Sequence, residues 1–377
     1  MLDPLIEWFR QAFVGVWHAV LGLCLWLVAP FRGFYRFFTN AGKTLKIILG
    51  AIIVPIVLVY GLFFWNAAWI RGYDTEWPAQ FEFANRTTSA GEQVAAEGGT
   101  QTTRTCGRSG IVDALTHLVQ FNVDQNDWVS SHPLYKAGLF GMEWDATPFM
   151  DNKASFQRGV HQATTRIAVE LADQLGRVRG TSEINANLQK ARGAMQFDEY
   201  TWIFNPNSTR PFGPTTRSET YYRNAGGYFE KYNDALSRCQ ATFDARGDNL
   251  LAMLDRIAKD IGSTSARIKD RSERYNSGWF DMRADNHFYF AKGQLYAIYG
   301  ILKGARADFQ GVIAARRIDD LWINMESQLK SAINLDPLII SNGTEDGWIM
   351  PTHITTIGFY ILRVRSNLIE IRSVLDR

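Results

Sequence analysis

Glu143 and Asp145 flank Trp144 in the stretch GMEWDATPF. Two carboxylates about 5 to 10 Å apart can act on a glycosidic bond as acid and base or nucleophile, and an aromatic face beside them can grip a sugar. The chain has 38 acidic residues, so a pair two positions apart also arises without any function. Asp285 and His287, with Asp281 four positions earlier, form the densest acid and histidine cluster and a candidate metal site. They fall where a helix is expected to begin, and there capping and the helix dipole already favour acidic side chains. Asp113 and His117 stand four apart and share one helix face, but further metal ligands would have to come from distant segments. Asn342 and Trp348 lie in the loop NLDPLIISNGTEDGWIMPT, which reads as a partner-binding tip or as a plain connection. Cys106 and Cys239 either pair in a disulfide or stay as two buried thiols.

Beyond these residues the chemical vocabulary is sparse. There is no GxSxG, no HExxH, no glycine-rich phosphate loop followed by lysine and no dinucleotide fingerprint. Without CxxC or a cysteine spaced to a histidine, a structural zinc site has no support. Nothing calls for a cofactor or a bound metal, and the reading leans away from an enzyme. Forty basic against 38 acidic residues give a net charge of +2 with no polybasic tail, so nucleic acid is not an expected partner.

The element that must place any site is Ile47 to Ile70, uncharged between Lys46 and Arg71. Roughly 20 apolar residues cross a bilayer as a helix, so this stretch predicts a membrane anchor in contact with lipid. Pro55 is tolerable inside such a span, and Trp65, Trp69 and Tyr73 match an interfacial aromatic belt. Arg32, Arg36, Lys43 and Lys46 precede the span, while Asp74 and Glu76 follow Arg71. Positive flanks stay in the cytoplasm, which predicts a bacterial inner-membrane protein with its large C-terminal part in the periplasm. Residues 1–46 hold a second apolar segment with Glu7, Gln11, Gly15, His18 and Gly22 on one stripe, readable as an in-plane or re-entrant helix or as a second span.

Residues 71–105 read as a stalk rich in Thr, Ser, Gly and Gln, and 106–377 as a helical domain with a break at 200–216 that divides it into two halves. Apolar steps of three, four and seven predict helices near 111–124, 153–178, 182–195, 281–315, 318–332 and 354–375. The tract 217–275 reads as a long hairpin or coiled-coil-like pair bent near Gly247. The expected fold is all-α: an N-terminal membrane helix, plus an amphipathic or second membrane helix, followed by a periplasmic bundle of long helices.

The tract DNHFYFAKGQLYAIYGILKGARADFQGVIAARR, the loop LDPLIISNGTEDGW and the closing IRSVLDR resemble a proteobacterial family of inner-membrane-anchored proteins with a domain of unknown function. WIFNPNS at Trp202 and SETYYR at Ser218 resemble its middle region, while Thr352-His353-Ile354 departs from its pattern. The resemblance implies an anchor and a helical exported domain, and no activity. The expected function is a non-enzymatic scaffold or adaptor of the cell envelope, acting through self-association or another membrane protein. The alternatives are peptidoglycan binding or glycan hydrolysis, and lipid or small-molecule binding between helices.

Overall fold

The computed structural model describes residues 14, 17, 18, 22, 29, 32–86, 88–91, 93–94, 105–138, 142–144, 147, 150–178, 183–204, 213–278, 281–344 and 351–377. The chain divides into two compact units, residues 1–62 and 63–377. In the first unit the described residues up to 40 are helical, and the choice between an in-plane helix and a second span falls mostly outside the described residues. Helix α1, Lys43–Ala68, starts in this unit and is the one described helix long and apolar enough to cross a membrane. Ile47, Pro55 and Trp65 are exposed along it. Its 26 residues rise about 39 Å, more than the hydrocarbon thickness of about 30 Å.

The second unit is all-α apart from a two-residue antiparallel pairing of Gln93–Val94 with Thr105–Cys106. Its helices are α2 (Gly110–Val119), α3 (Pro133–Ala137), α4 (Asn152–Glu170), α5 (Ala186–Met195), α6 (Ser218–Ser237), α7 (Gly247–Arg274), α8 (Ala284–Asp308), α9 (Gln310–Arg316), α10 (Asp319–Ile333) and α11 (His353–Leu375). Helices α2 and α4 each run on into a π-helical turn.

Helix α8 is the axis of the unit and is buried at almost every position from Ala291 to Asp308. Glycines let its neighbours approach. A Cβ on Gly159 of α4 would fall 2.0 Å from the Phe290 carbonyl oxygen, and one on Gly293 of α8 would fall 2.1 Å from that of Phe156. The two backbones therefore touch, and only hydrogen fits on either side. Further along α8, Gly304 meets Gly110 of α2 and Gly300 meets the Trp77 ring.

Three expectations change. Residues 71–91 are not a free stalk: Trp77, Phe83 and Ala90 are buried, Arg71 exchanges two hydrogen bonds with the Asn126 side chain, and the Tyr73 hydroxyl donates to the Ile333 carbonyl. The break at 200–216 does not separate two halves, because α4 before it and α8 after it form the main packing pair. The tract 217–275 is not a hairpin. Helix α6 packs on α2 and α5, whereas α7 packs on α11 and α8, and the connector turns aside to put Phe243 into the core.

Candidate functional site

The sequence-predicted residues scatter. Trp144 is 2% exposed, with its ring 5.7 Å from Phe63 and 5.9 Å from Phe64, and its Nε1 donates to the Leu134 carbonyl at 3.0 Å. Both faces are spent on the end of α1, so it offers no sugar platform. Glu143 beside it is exposed, and Asp145 lies outside the described residues. Asn342 is fully buried rather than at a loop tip: its Nδ2 donates to the Tyr275 carbonyl at 2.8 Å and to Asp281 Oδ2 at 2.8 Å. Trp348 lies outside the described residues.

Asp113 and His117 share a face but have separate partners. Asp113 takes Arg86 at 2.5 Å and Arg108 at 3.2 Å, while His117 stacks on Trp77 with centroids 4.3 Å apart. Burial lowers the His117 pKa to about 4, against a small opposing pull from Asp74. Cys106 and Cys239 are joined in a disulfide, with Cα atoms 5.3 Å apart. Among the described residues no three His, Cys, Asp or Glu side chains gather where a metal could sit.

His287 alone leads to a site, one of a different kind. It lines an open cleft of about 860 Å³ whose walls come from α4, the segment Met195–Tyr200 after α5, Arg267 of α7 and the start of α8. Asp285 is not among the lining residues. The cleft is cationic through Arg158, Arg267 and Arg283, with His287 beside them. Two nearby acids are engaged elsewhere, Asp281 with Arg271 and Asp260 at 3.6 Å from Arg166, while Asp198 and Glu199 line the cleft themselves. Among the described residues neither Arg267 nor Arg283 has a carboxylate at ion-pair distance.

The Arg267 guanidinium lies 4.5 Å over the Phe290 ring and donates to Thr264 Oγ1 at 3.2 Å. Burial presses it below its ordinary pKa, with no opposing contribution from an acid. His287 is pushed down by burial and then by Arg271 and Arg267, so it is neutral near pH 7 and able to donate or accept. Arg158 is held by Tyr200 Oη at 2.9 Å and Ser155 Oγ at 3.0 Å. The start of the 25-residue α8 also lines the cleft, but its first N–H groups already have acceptors: Ala284 N donates to the Asp281 carbonyl at 3.1 Å and Asn286 N to Asp285 Oδ1 at 3.0 Å. Asp198 and Glu199 also line the cleft, and burial raises the Glu199 pKa despite Arg158 nearby.

Arg267 and Arg283 both reach solvent, and without a counter-ion among the described residues each is open to a charge-assisted contact with an arriving carboxylate or phosphate. The arrangement thus suits holding an anion. No single stretch of sequence announces it. Its arginines stand at 158, 267 and 283, on three helical segments, and only the tertiary fold assembles them.

An all-α body with a cationic cleft, continuous with one helix of membrane-spanning length, defines the class. Residues 129–277 and 269–377 match DUF2333, described as an uncharacterized protein conserved in bacteria, and the chain belongs to that family. No curated protein and no solved structure matches the chain.

Proposed function

We propose that the chain is an inner-membrane-anchored envelope protein whose body faces the periplasm and holds a small phosphate- or carboxylate-bearing ligand in the cleft, without turning it over chemically. The observation that carries the reading is the pair Arg267 and Arg283, set in a cleft and lacking acidic partners among the described residues. The export reading is supported by the basic residues before α1 and by the Cys106–Cys239 disulfide, which suits an oxidising compartment. Glycan hydrolysis loses its motive once Trp144 is enclosed.

The test is calorimetric titration of the full chain in detergent with pyrophosphate and, separately, citrate. A charge-assisted arginine contact contributes about 1.5–3 kcal/mol, so Arg267→Gln with Arg283→Gln should weaken binding at least tenfold. Arg274→Gln, at an exposed pair with Asp270, should leave it unchanged. Equal binding by wild type and the double variant, or no binding of either anion by wild type, ends the reading.

The scaffold role is a second reading, favoured by Phe359, Leu362 and Ile369, which lie exposed along one face of α11. Crosslinking of the full chain to a defined oligomer, lost on Leu362→Glu, would move the weight to it.

A further inference from the structure

We propose that Gln162 is the neutral donor of the cleft, its amide nitrogen turned toward the ligand by a buried relay that starts at Arg267, so that the site takes an anion whose contacting oxygens carry no proton. The inference rests on the anion-holding reading of the cleft and names the ligand chemistry which that reading leaves open. Both ends of the relay line the cleft, Arg267 from α7 and Gln162 from α4. Its two middle members are sealed from water: Thr264 of α7 is 2% exposed and Gln294 of α8 is fully buried.

The direction of each bond follows from what each group can do. A guanidinium only donates, so Arg267 Nη2 gives a hydrogen to Thr264 Oγ1 at 3.2 Å. The Thr264 hydroxyl has one hydrogen of its own. It goes to Gln294 Oε1 at 2.7 Å, since the other acceptor within reach, the Asp260 carbonyl, lies 3.5 Å away. With its oxygen taken, the Gln294 amide turns its nitrogen to α4 and donates to Gln162 Oε1 at 3.4 Å, the longest link. Reversing that amide would leave the Thr264 hydrogen with only the distant carbonyl, a cost a fully buried group does not recover from water. Gln162 therefore spends its oxygen inside the protein. Its Nε2 hydrogens have no partner at hydrogen-bond distance among the described residues.

The charge and the neutral donor thus form one linked unit across α4, α7 and α8. A group entering against both must accept from both, which an ionised carboxylate, a sulfonate or a phosphodiester does and an ammonium cannot. Thr264 and Gln294 do not line the cleft, so each acts as a positioning residue. A shorter relay among cleft residues runs in the same order: Arg158 donates to Ser155 Oγ at 3.0 Å, and Ser155 Oγ donates to Asn286 Oδ1 at 3.3 Å. There too an arginine at the head makes the amide oxygen the end used inside the protein.

The experiment is calorimetric titration of the full chain in detergent with whichever of citrate and pyrophosphate binds wild type more tightly. Gln162→Met keeps the side-chain length and removes the donor, and should weaken binding about tenfold or more. Gln162→Glu keeps an oxygen for Gln294 and sets a second oxygen in place of the N–H pair, so it should lose binding with the inward bond intact. Gln294→Met releases the Gln162 amide without touching the Arg267 bond to Thr264, and should weaken binding several-fold. In the Gln162→Met background it should add nothing, because it acts only through the amide it aims. Wild-type affinity in both Gln162 variants overturns the inference and leaves the anion site standing, provided that Arg267→Gln with Arg283→Gln still weakens binding. Losses at 162 and 294 that add in the double variant also overturn it, because Gln294 then acts by another route. Binding of neither anion by wild type removes the cleft reading itself, and this inference with it.

Discussion

Asp308 is sealed from water at the end of α8, and three donors from the start of α2 converge on it. Ser109 Oγ donates at 2.7 Å, Gly110 N at 2.7 Å and Ile111 N at 3.0 Å, so a carboxylate from a distant helix caps α2. Burial raises its pKa to about 6, only partly opposed by the bonds from Ile111, Ser109 and Gly110 and by Arg86. The native state therefore holds this proton more tightly than the unfolded chain does. Stabilisation from the group is complete below about pH 3.8 and is lost as pH rises through about 6, an amount of about 3 kcal/mol. Denaturant melts of wild type and Asp308→Asn should differ most near pH 4, the difference falling by up to that amount by pH 7. A flat difference would mean the carboxylate does not titrate in that window. Asp308→Ala leaves all three donors without this acceptor and should cost about 3 kcal/mol or more at any pH.

At the scale of elements the decisive contacts are between backbones. Alanine at Gly159 or Gly293 must push α4 and α8 apart, because the carbonyl each would meet cannot swing away as a side chain can. Each change should lower the free energy of unfolding by about 3 kcal/mol. Gly193 in α5 and Gly227 in α6 have open space where a Cβ would go, and alanine there should stabilise by about 0.5–1 kcal/mol. Opposite signs in urea melts are the check. Helix positions were legible in the sequence because apolar spacing is a local signal: the expected segments at 153–178, 318–332 and 354–375 overlap α4, α10 and α11. Pairing was not legible. Nothing near Gly159 says that its partner is Phe290, and nothing in 217–275 says that α6 and α7 choose different neighbours. The segment 71–91 misled because its polar composition hides Trp77 and Phe83, whose spacing follows no helical period but fits the groove beside α8. For the site, sequence reading picked out His287 by residue type, as a metal candidate, while the arginines that give the cleft its charge lie too far apart to form a motif.

At the scale of the whole molecule, the proposed function places the body in the periplasm, and the cysteines can test that side. Cys106 and Cys239 close a loop with a sequence separation of 133, which chain entropy values at about 5 kcal/mol, with measured losses for native disulfides of about 2–5 kcal/mol. A reducing cytosol would leave that stabilisation unused, whereas the periplasm maintains it. In cells carrying Cys24→Ser, a membrane-impermeant maleimide added to spheroplasts should label nothing until a reductant is supplied, and then label both remaining cysteines without lysis. Labelling that requires lysis would put the body in the cytoplasm and set the basic flank of α1 against its expected orientation. Cys106→Ser with Cys239→Ser adds the energetic half of the test. The double variant should lose about 2–5 kcal/mol against the oxidised wild type in urea melts and match the wild type once both are reduced, since only the covalent closure of the loop separates them.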